Sequence, residues 1–446
     1  MRFFRPLWPL TLAVAAAFSA PAQAQSLRAL VESARQYDAP WQAAQAQLEA
    51  AQHRAEQARA GLLPSAGLSA GVSRTENGGS QWPRNVGLTN QTLGLNASQP
   101  LYRPANRISL EQAQRGVDAA QAQLDAVTQE LLVRVSQGYF DVLAAQDTLT
   151  FVQAQKAAVS EQLAAAKRNF EVGTSTITDT REAQARYDLV LAQEIAAEND
   201  LRVKNLALEQ LVGQSKLQPL PLAQPVLLPE VQPDNPQHWV AQAESTQPLV
   251  RQAAIALEVA QLETRKAETG HLPTIDAQVG YNTQRAPNGT LTAPGVSSRT
   301  HSTSISVALN LPLFAGFAVQ NRVKETLALE TKARADLDNL RRTLAQNARA
   351  AFYGVQSGLG QVKALEAAEA SSQSALEANQ LGYQVGVRIN IDVLNAQSQL
   401  YQTKRDLALA RYNVLLGSLK LRQASGHLGD AEIQAIDALL AQPSRE

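Results

Sequence analysis

The 446-residue chain contains no cysteine, and that one absence closes several routes. Without thiols there is no disulfide, no thiolate metal site and no lipid carried on an N-terminal cysteine. Beyond the leader, no stretch reaches the roughly 18 apolar residues of a membrane-spanning helix, in keeping with a mean hydropathy of -0.22. If the protein enters a membrane, it does so as a β-barrel. An excess of either charge is missing too: 40 Lys+Arg balance 40 Asp+Glu, so nothing points to a nucleic-acid partner. Catalytic patterns are also lacking. His53, His238, His271, His301 and His427 fall in separate elements without metal-ligand spacing. Neither a Walker-type loop nor a Gly-x-Ser-x-Gly elbow occurs, and the carboxylates sit beside Lys and Arg in the pattern of solvated helix surfaces. The expectation is a protein that is not an enzyme and uses no cofactor or metal.

What is present begins with a leader. Arg2 and Arg5 precede an apolar run from Leu7 to Phe18, and Ala22-Gln23-Ala24 is a small-x-small cleavage site. Residues 1–24 therefore read as a secretory signal peptide. The rest is a tandem duplication. Asn169-Phe-Glu-Val-Gly173-Thr-Ser-Thr-Ile-Thr-Asp179 matches Gly382-Tyr-Gln-Val-Gly386-Val-Arg-Ile-Asn-Ile-Asp392, an offset of 213 (386 − 173 and 392 − 179). The same offset relates Tyr139-Phe140 to Phe352-Tyr353, Ala183-Gln184 to Ala396-Gln397 and Gly213 to Gly426. Upstream, Gly61-Leu-Leu-Pro64 echoes Gly270-His-Leu-Pro273. The organisation expected is a first repeat over 25–213, a connector over 214–247, a second repeat over 248–426 and a tail over 427–446. Seven prolines between Pro219 and Pro248 predict a connector without regular helix.

Each repeat reads as a first helix (Leu27 to Ala60, or Pro248 to Thr269), a strand pair, a very long helix, a glycine turn and a returning helix. No proline interrupts 105–170 or 316–384. At 1.5 Å per residue, about 65 residues make a rod of about 100 Å, which must be paired along its length. Val393, Leu400, Leu407, Val414 and Leu421 recur every seven residues, as do Val117, Leu124 and Leu131. The strand segments alternate. Ala66, Leu68, Ala70 and Val72 oppose serines and glycines, and Leu93, Leu95 and Ala97 oppose Thr92, Gly94 and Asn96. In the second repeat Ile275, Ala277, Val279 and Tyr281, then Ile305, Val307 and Leu309, likewise form apolar faces. About ten residues with one apolar and one polar face is the span of a tilted transmembrane strand. Polar Gly/Asn-rich loops near Asn77 and at Asn288-Gly289 suit an outer surface. Four strands cannot close a barrel, and an open edge cannot face lipid, so subunits must share one.

With these features the sequence resembles the TolC family of outer-membrane export ducts, over essentially the whole chain from Leu27 to about Leu440. The likeness is strongest at Gly382 through Asn395, at Leu400-Tyr401 and at Ala410-Arg-Tyr-Asn-Val-Leu-Leu416. The missing lipidated cysteine fits this branch better than its lipid-anchored relatives. The resemblance implies a membrane α+β fold, a homotrimer whose shared 12-stranded barrel runs on into a periplasmic tunnel of twelve helices. The connector and tail are expected in a belt around the tunnel's middle. Export from an inner-membrane ABC or proton-driven transporter, through a periplasmic adaptor, is the implied function, with outer-membrane lipid around the barrel. By residue match, the resemblance implies a closing network of Tyr383 and Arg388 with Thr178 and Asp179. It implies a lumen constriction at Asp392, where the second ring position holds Asn395, and helix-tip turns at Gly173 and Gly386. Plain helix chemistry offers another role for the aspartates, as caps of the returning helices, with Asp179-x-x-Glu182 resembling a capping box. The competing class is a periplasmic coiled-coil adaptor or scaffold without a pore. Such adaptors usually carry one helical hairpin flanked by β-domains, whereas this chain repeats its helix–strand unit twice.

Overall fold

A computed structural model describes residues 25–78 and 86–441. The leader over 1–24 lies outside the described residues, as does the tip of the first hairpin at 79–85. The first repeat contains α1 (Leu27–Tyr37), α2 (Ala39–Ala60), β1 (Ser65–Asn77), β2 (Val86–Tyr102), α3 (Pro104–Glu171) and α4 (Ile177–Val212). The second contains α5 (Pro236–Thr246), α6 (Pro248–Glu268), β3 (Thr274–Ala286), β4 (Ser298–Asn310), α7 (Ala318–Gln384) and α8 (Asn390–Ala424), and α9 (Asp430–Asp437) follows.

Two expectations are corrected at the repeat starts. The first helix is not continuous from Leu27 to Ala60. It breaks at Asp38, because Pro40 in the first turn of α2 has no N–H to carry a helix through, and Asp38 caps the new start by accepting from Trp41 N at 2.9 Å. The connector, for its part, is not wholly without helix. Pro236 and Pro248 stand at first-turn positions, where proline is tolerated, and the proline-free residues between them form α5. Both corrections are one finding. Helices α1 and α5 begin 209 residues apart (236 − 27), as do α2 and α6 (248 − 39), which is the offset of Gly61 and Gly270 (270 − 61).

The four strands form one antiparallel sheet in the order β1-β2-β3-β4. Its register aligns the alternation across all four. Leu95 lies between Leu68 and Tyr281, and Ala97 between Ala66 and Val279, which in turn faces Ile305. One face is thus a continuous apolar surface left in the open, with Ile305 80 % and Leu68 73 % exposed. The other face carries Asn96 opposite Gly280, which faces Ser304. A solvated sheet buries its apolar face; this one presents it, as a strand in lipid does. Strands β1 and β4 end the sheet, and each has one side without a strand partner among the described residues.

From the sheet's inner end run α3 and α7, of 68 and 67 residues, each folded back on a shorter helix, α4 or α8. The predicted seven-residue stripe of α8, Val393 to Leu421, is buried throughout. The largest core lies halfway along α3. There Leu131, Leu132, Tyr139 and Phe140 meet Leu27 and Leu30 of α1, Leu220 of the connector, Leu415 of α8 and Ile433 of α9. Tyr139 donates to Leu220 O at 2.8 Å, and the connector at Leu222 bridges to Leu440. Connector and tail thus wrap the middle of the helical rod.

Candidate functional site

The candidate site is at the helix tips farthest from the sheet. In the first repeat α3 ends in a left-handed turn, with Gly173 at φ 77° and Thr174 N donating to Asn169 O at 2.8 Å. In the second, Gly386 has φ 79° and Val387 N donates to Gly382 O at 2.9 Å. The returning helices then start differently. Thr176 is the N-cap of α4, and its hydroxyl accepts from Asp179 N at 3.2 Å. Asp179 Oδ2 accepts in return from Thr176 N at 3.0 Å and from the Thr176 hydroxyl at 2.9 Å. The capping box is therefore Thr176 with Asp179, not Asp179 with Glu182, because the N-cap lies three residues ahead of Asp179. At the matching position α8 has Ile389, which cannot cap, so the Asp392 carboxylate has no hydroxyl to hold it. It lies 3.6 Å from Arg388 Nη1 instead, one helical turn away.

Within the chain the predicted network does not assemble. Thr178 is exposed and Asp179 is held by its own cap, while Arg388 turns to Asp392. Tyr383 is partly buried against Leu376, Val393 and Leu400. Its hydroxyl does reach the first repeat, but to Asn169, whose Nδ2 donates at 3.3 Å. Asn395 is also engaged across the repeats, accepting from Arg186 Nη2 at 2.8 Å. Asn169 and Arg186 were missed because the internal alignment pairs them with unlike residues, Gly382 and Gln399. That inequality was the available signal, since a position that differs between halves is where the halves can meet. Gly382 has its own reason: a Cβ there would stand 2.7 Å from Arg388 Cγ, so only glycine lets the arginine stem lie over the end of α7.

Helix α8 packs on both repeats. Toward α7 it presents the apolar stripe from Val393 to Leu421. Toward the first repeat it presents Leu394, packed with Val159, Leu163 and Val190, and Gln155 of α3 donates weakly to Ser398 at 3.4 Å. Asn390 is 1 % exposed with both side-chain polar atoms unpartnered, and Gln397 leaves its carbonyl oxygen unpartnered. Such groups cost about 1–3 kcal/mol each. These buried polar atoms lie among apolar contacts that α8 makes with both repeats.

A family model described as outer membrane efflux protein matches residues 30–214 and 239–427. The outer membrane protein TolC of Vibrio cholerae serotype O1 is 34 % identical over 436 residues, covering 97 % of this chain and 98 % of that protein. The proteases secretion protein PrtF of Dickeya chrysanthemi is 28 % identical, covering 94 % of this chain and 91 % of its own. Among solved structures, the Campylobacter jejuni CmeC outer membrane channel superposes with a TM-score of 0.78 at 16 % identity, covering 100 % of this chain and 99 % of that one. CusC does so at 0.77 and 19 %, with 90 % and 92 % covered. At these identities the structural likeness speaks for the fold.

Proposed function

The chain belongs to the outer membrane efflux protein family, and from that premise we propose a homotrimeric duct, shut at its helix tips and opened by slippage between its two repeats. The protein is an outer-membrane exit channel for secretion and efflux that extends into the periplasm. The family match across both repeats sets aside the poreless adaptor. One observation carries the trimer: a four-stranded sheet with an exposed apolar face and two edges, β1 and β4, that lack strand partners among the described residues. Backbone groups cannot be left unpaired in lipid, so copies must join edge to edge. Three copies give the twelve strands that the resemblance implies, with the polar face around water.

At the tips, Arg388 of one copy meets Thr178 and Asp179 of the next, and Tyr383 with Asn169 ties the repeats within a copy. Opening parts the tip of α8 from α3, where Tyr383 meets Asn169, and leaves the α7–α8 pair intact. Three Asp392 carboxylates, one per copy, narrow the closed end and attract divalent cations. With Asn395 in place of a second acidic ring, the block is weaker than six carboxylates would give. No energy source is built into this duct. An inner-membrane transporter supplies it, joined through a periplasmic adaptor at the tips.

Planar-bilayer recording tests the gate. Arg388→Ala and Asn169→Ala should each raise single-channel conductance, and unchanged conductance in both removes the gate assignment. Asp392→Ala should weaken block by divalent cations; if the parent shows no block, the ring reading fails. Trimer-sized, heat-modifiable migration in detergent is expected of the intact protein. A stable monomer there would end the proposal.

A further inference from the structure

The outer rim of the sheet carries a charge that the rest of the molecule does not. Between Ala277 and Lys324 there is no Asp or Glu, and none between Asn77 and Leu110. The strands nevertheless hold Arg74, Arg285 and Arg299 at this end. Against these stands Glu76 alone at this end, since Asp276 lies at the other end of the sheet in a bidentate pair with Arg103 (2.7 Å and 2.7 Å). Three arginines less one glutamate leave +2 on the described rim of a chain whose formal net charge is zero.

The strands aim this charge outward. Arg285 is four residues beyond Tyr281 and Arg299 six before Ile305, so side-chain alternation puts both on the apolar, lipid-facing side. Arg74 follows Val72 by two and shares that face. The register sets Arg285 and Arg299 directly opposite each other on β3 and β4, both exposed. Like charges in direct cross-strand pairing destabilise a sheet, and among the described residues neither has a carboxylate partner. Position completes the description. From Ile275 to Arg285 the strand climbs about 33 Å, which at a tilt near 40° is about 25 Å of height, the thickness of the apolar band of such barrels. The arginines thus stand where the band ends on the outer side, above Tyr281 and His301, which stack with ring centroids 6.3 Å apart.

We infer that Arg285 and Arg299, with Arg74 beside them, form a binding site for the phosphate of an outer-leaflet lipid headgroup. The inference rests on the reading of the sheet as part of an outer-membrane barrel. Closure of that barrel sets β1 of the next copy beside β4, which adds an Arg74 to each Arg285–Arg299 pair. A guanidinium fork matches phosphate bidentately, so the opposed arginines that repel one another when empty are bridged when a phosphate lies between them. The acyl chains of the same molecule lie along the apolar face below.

The test uses the purified full-length protein in neutral detergent with three probes: bisphosphorylated lipid A, the same acylated disaccharide without phosphates, and inorganic phosphate. The parent protein should bind the phosphorylated lipid at least tenfold more tightly than the phosphate-free one. The Arg285→Gln/Arg299→Gln variant should lose that preference, and Arg299→Lys should fall between. Without lipid, the double variant should melt at a higher temperature than the parent, because the repulsion is gone; with phosphorylated lipid the order should reverse. Equal binding of the two lipids by the parent overturns the proposal without recourse to any variant. So does a double variant that keeps the preference. Displacement of the lipid by millimolar inorganic phosphate would mark a free-ion site and overturn it as well. Conductance measured on the same preparation separates the two levels. Channels without phosphate preference sink this inference alone, whereas absence of channels takes the underlying reading with it.

Discussion

At the start of the returning helices Thr176 and Ile389 occupy one position in the two repeats, and this difference decides what the following aspartates do. Asp179 is bound into a cap, while Asp392 lies 3.6 Å from the exposed Arg388. An exposed ion pair of this kind is worth less than about 1 kcal/mol, which suits the cation site proposed at Asp392. The duplication made Asp179 and Asp392 legible as equivalents, but it could not say that their surroundings diverge, since that follows from which residue starts the helix. A second residue-scale case lies in the belt. Asp147 of α3 accepts from the Tyr412 hydroxyl at 2.7 Å, and burial raises its carboxyl above the usual range, with that hydrogen bond partly offsetting the shift. A group with a raised folded-state pKa contributes stability that is complete below the ordinary carboxylate range and is lost as pH rises through the elevated value. Near neutral pH its charge is therefore a cost to the fold. Asp147→Asn, which still accepts from Tyr412, should raise the thermal midpoint near neutral pH, and the gap should close on acidification. A constant gap at all pH values would refute this.

Among the elements, α8 matters most to the proposed gate, because it packs on both repeats. The apolar stripe toward α7 binds one hairpin together, and Leu400→Ala should cost about 2–5 kcal/mol there. Asn390 and Gln397 contribute little, because both are buried without full partners. Gln397→Leu should therefore raise the unfolding midpoint and lower the open probability of the channel. A drop in stability would show that Gln397 has a partner in the assembled protein. Length and pairing of these helices were readable in advance, since an unbroken run without proline must be a rod and a seven-residue stripe must face another. The breaks at Asp38 and around α5 were harder to place. A proline in the first turn of a helix and one that ends a helix are the same letter, and only the spacing between repeats distinguishes them.

On the scale of the whole molecule, the sheet and the helical rod are joined by a pair that crosses the repeats, Arg103 at the start of α3 with Asp276 of β3. Removing the guanidinium leaves a largely buried carboxylate uncompensated. Arg103→Ala should lower the temperature at which the trimer dissociates more than it lowers helix content, followed by gel migration and circular dichroism together. Equal losses would assign the pair to general stability. By itself, the sequence determined that the protein is exported, duplicated, built of long paired rods and four two-faced strands, and unable to seal a barrel alone. These follow from period, composition and the absence of proline and cysteine, which act locally along the chain. Tertiary structure alone decided that Tyr383 reaches Asn169, that Asn395 reaches Arg186, and that Arg285 stands opposite Arg299. Such pairings depend on the register between segments far apart in sequence, and register is set by packing that no local pattern records.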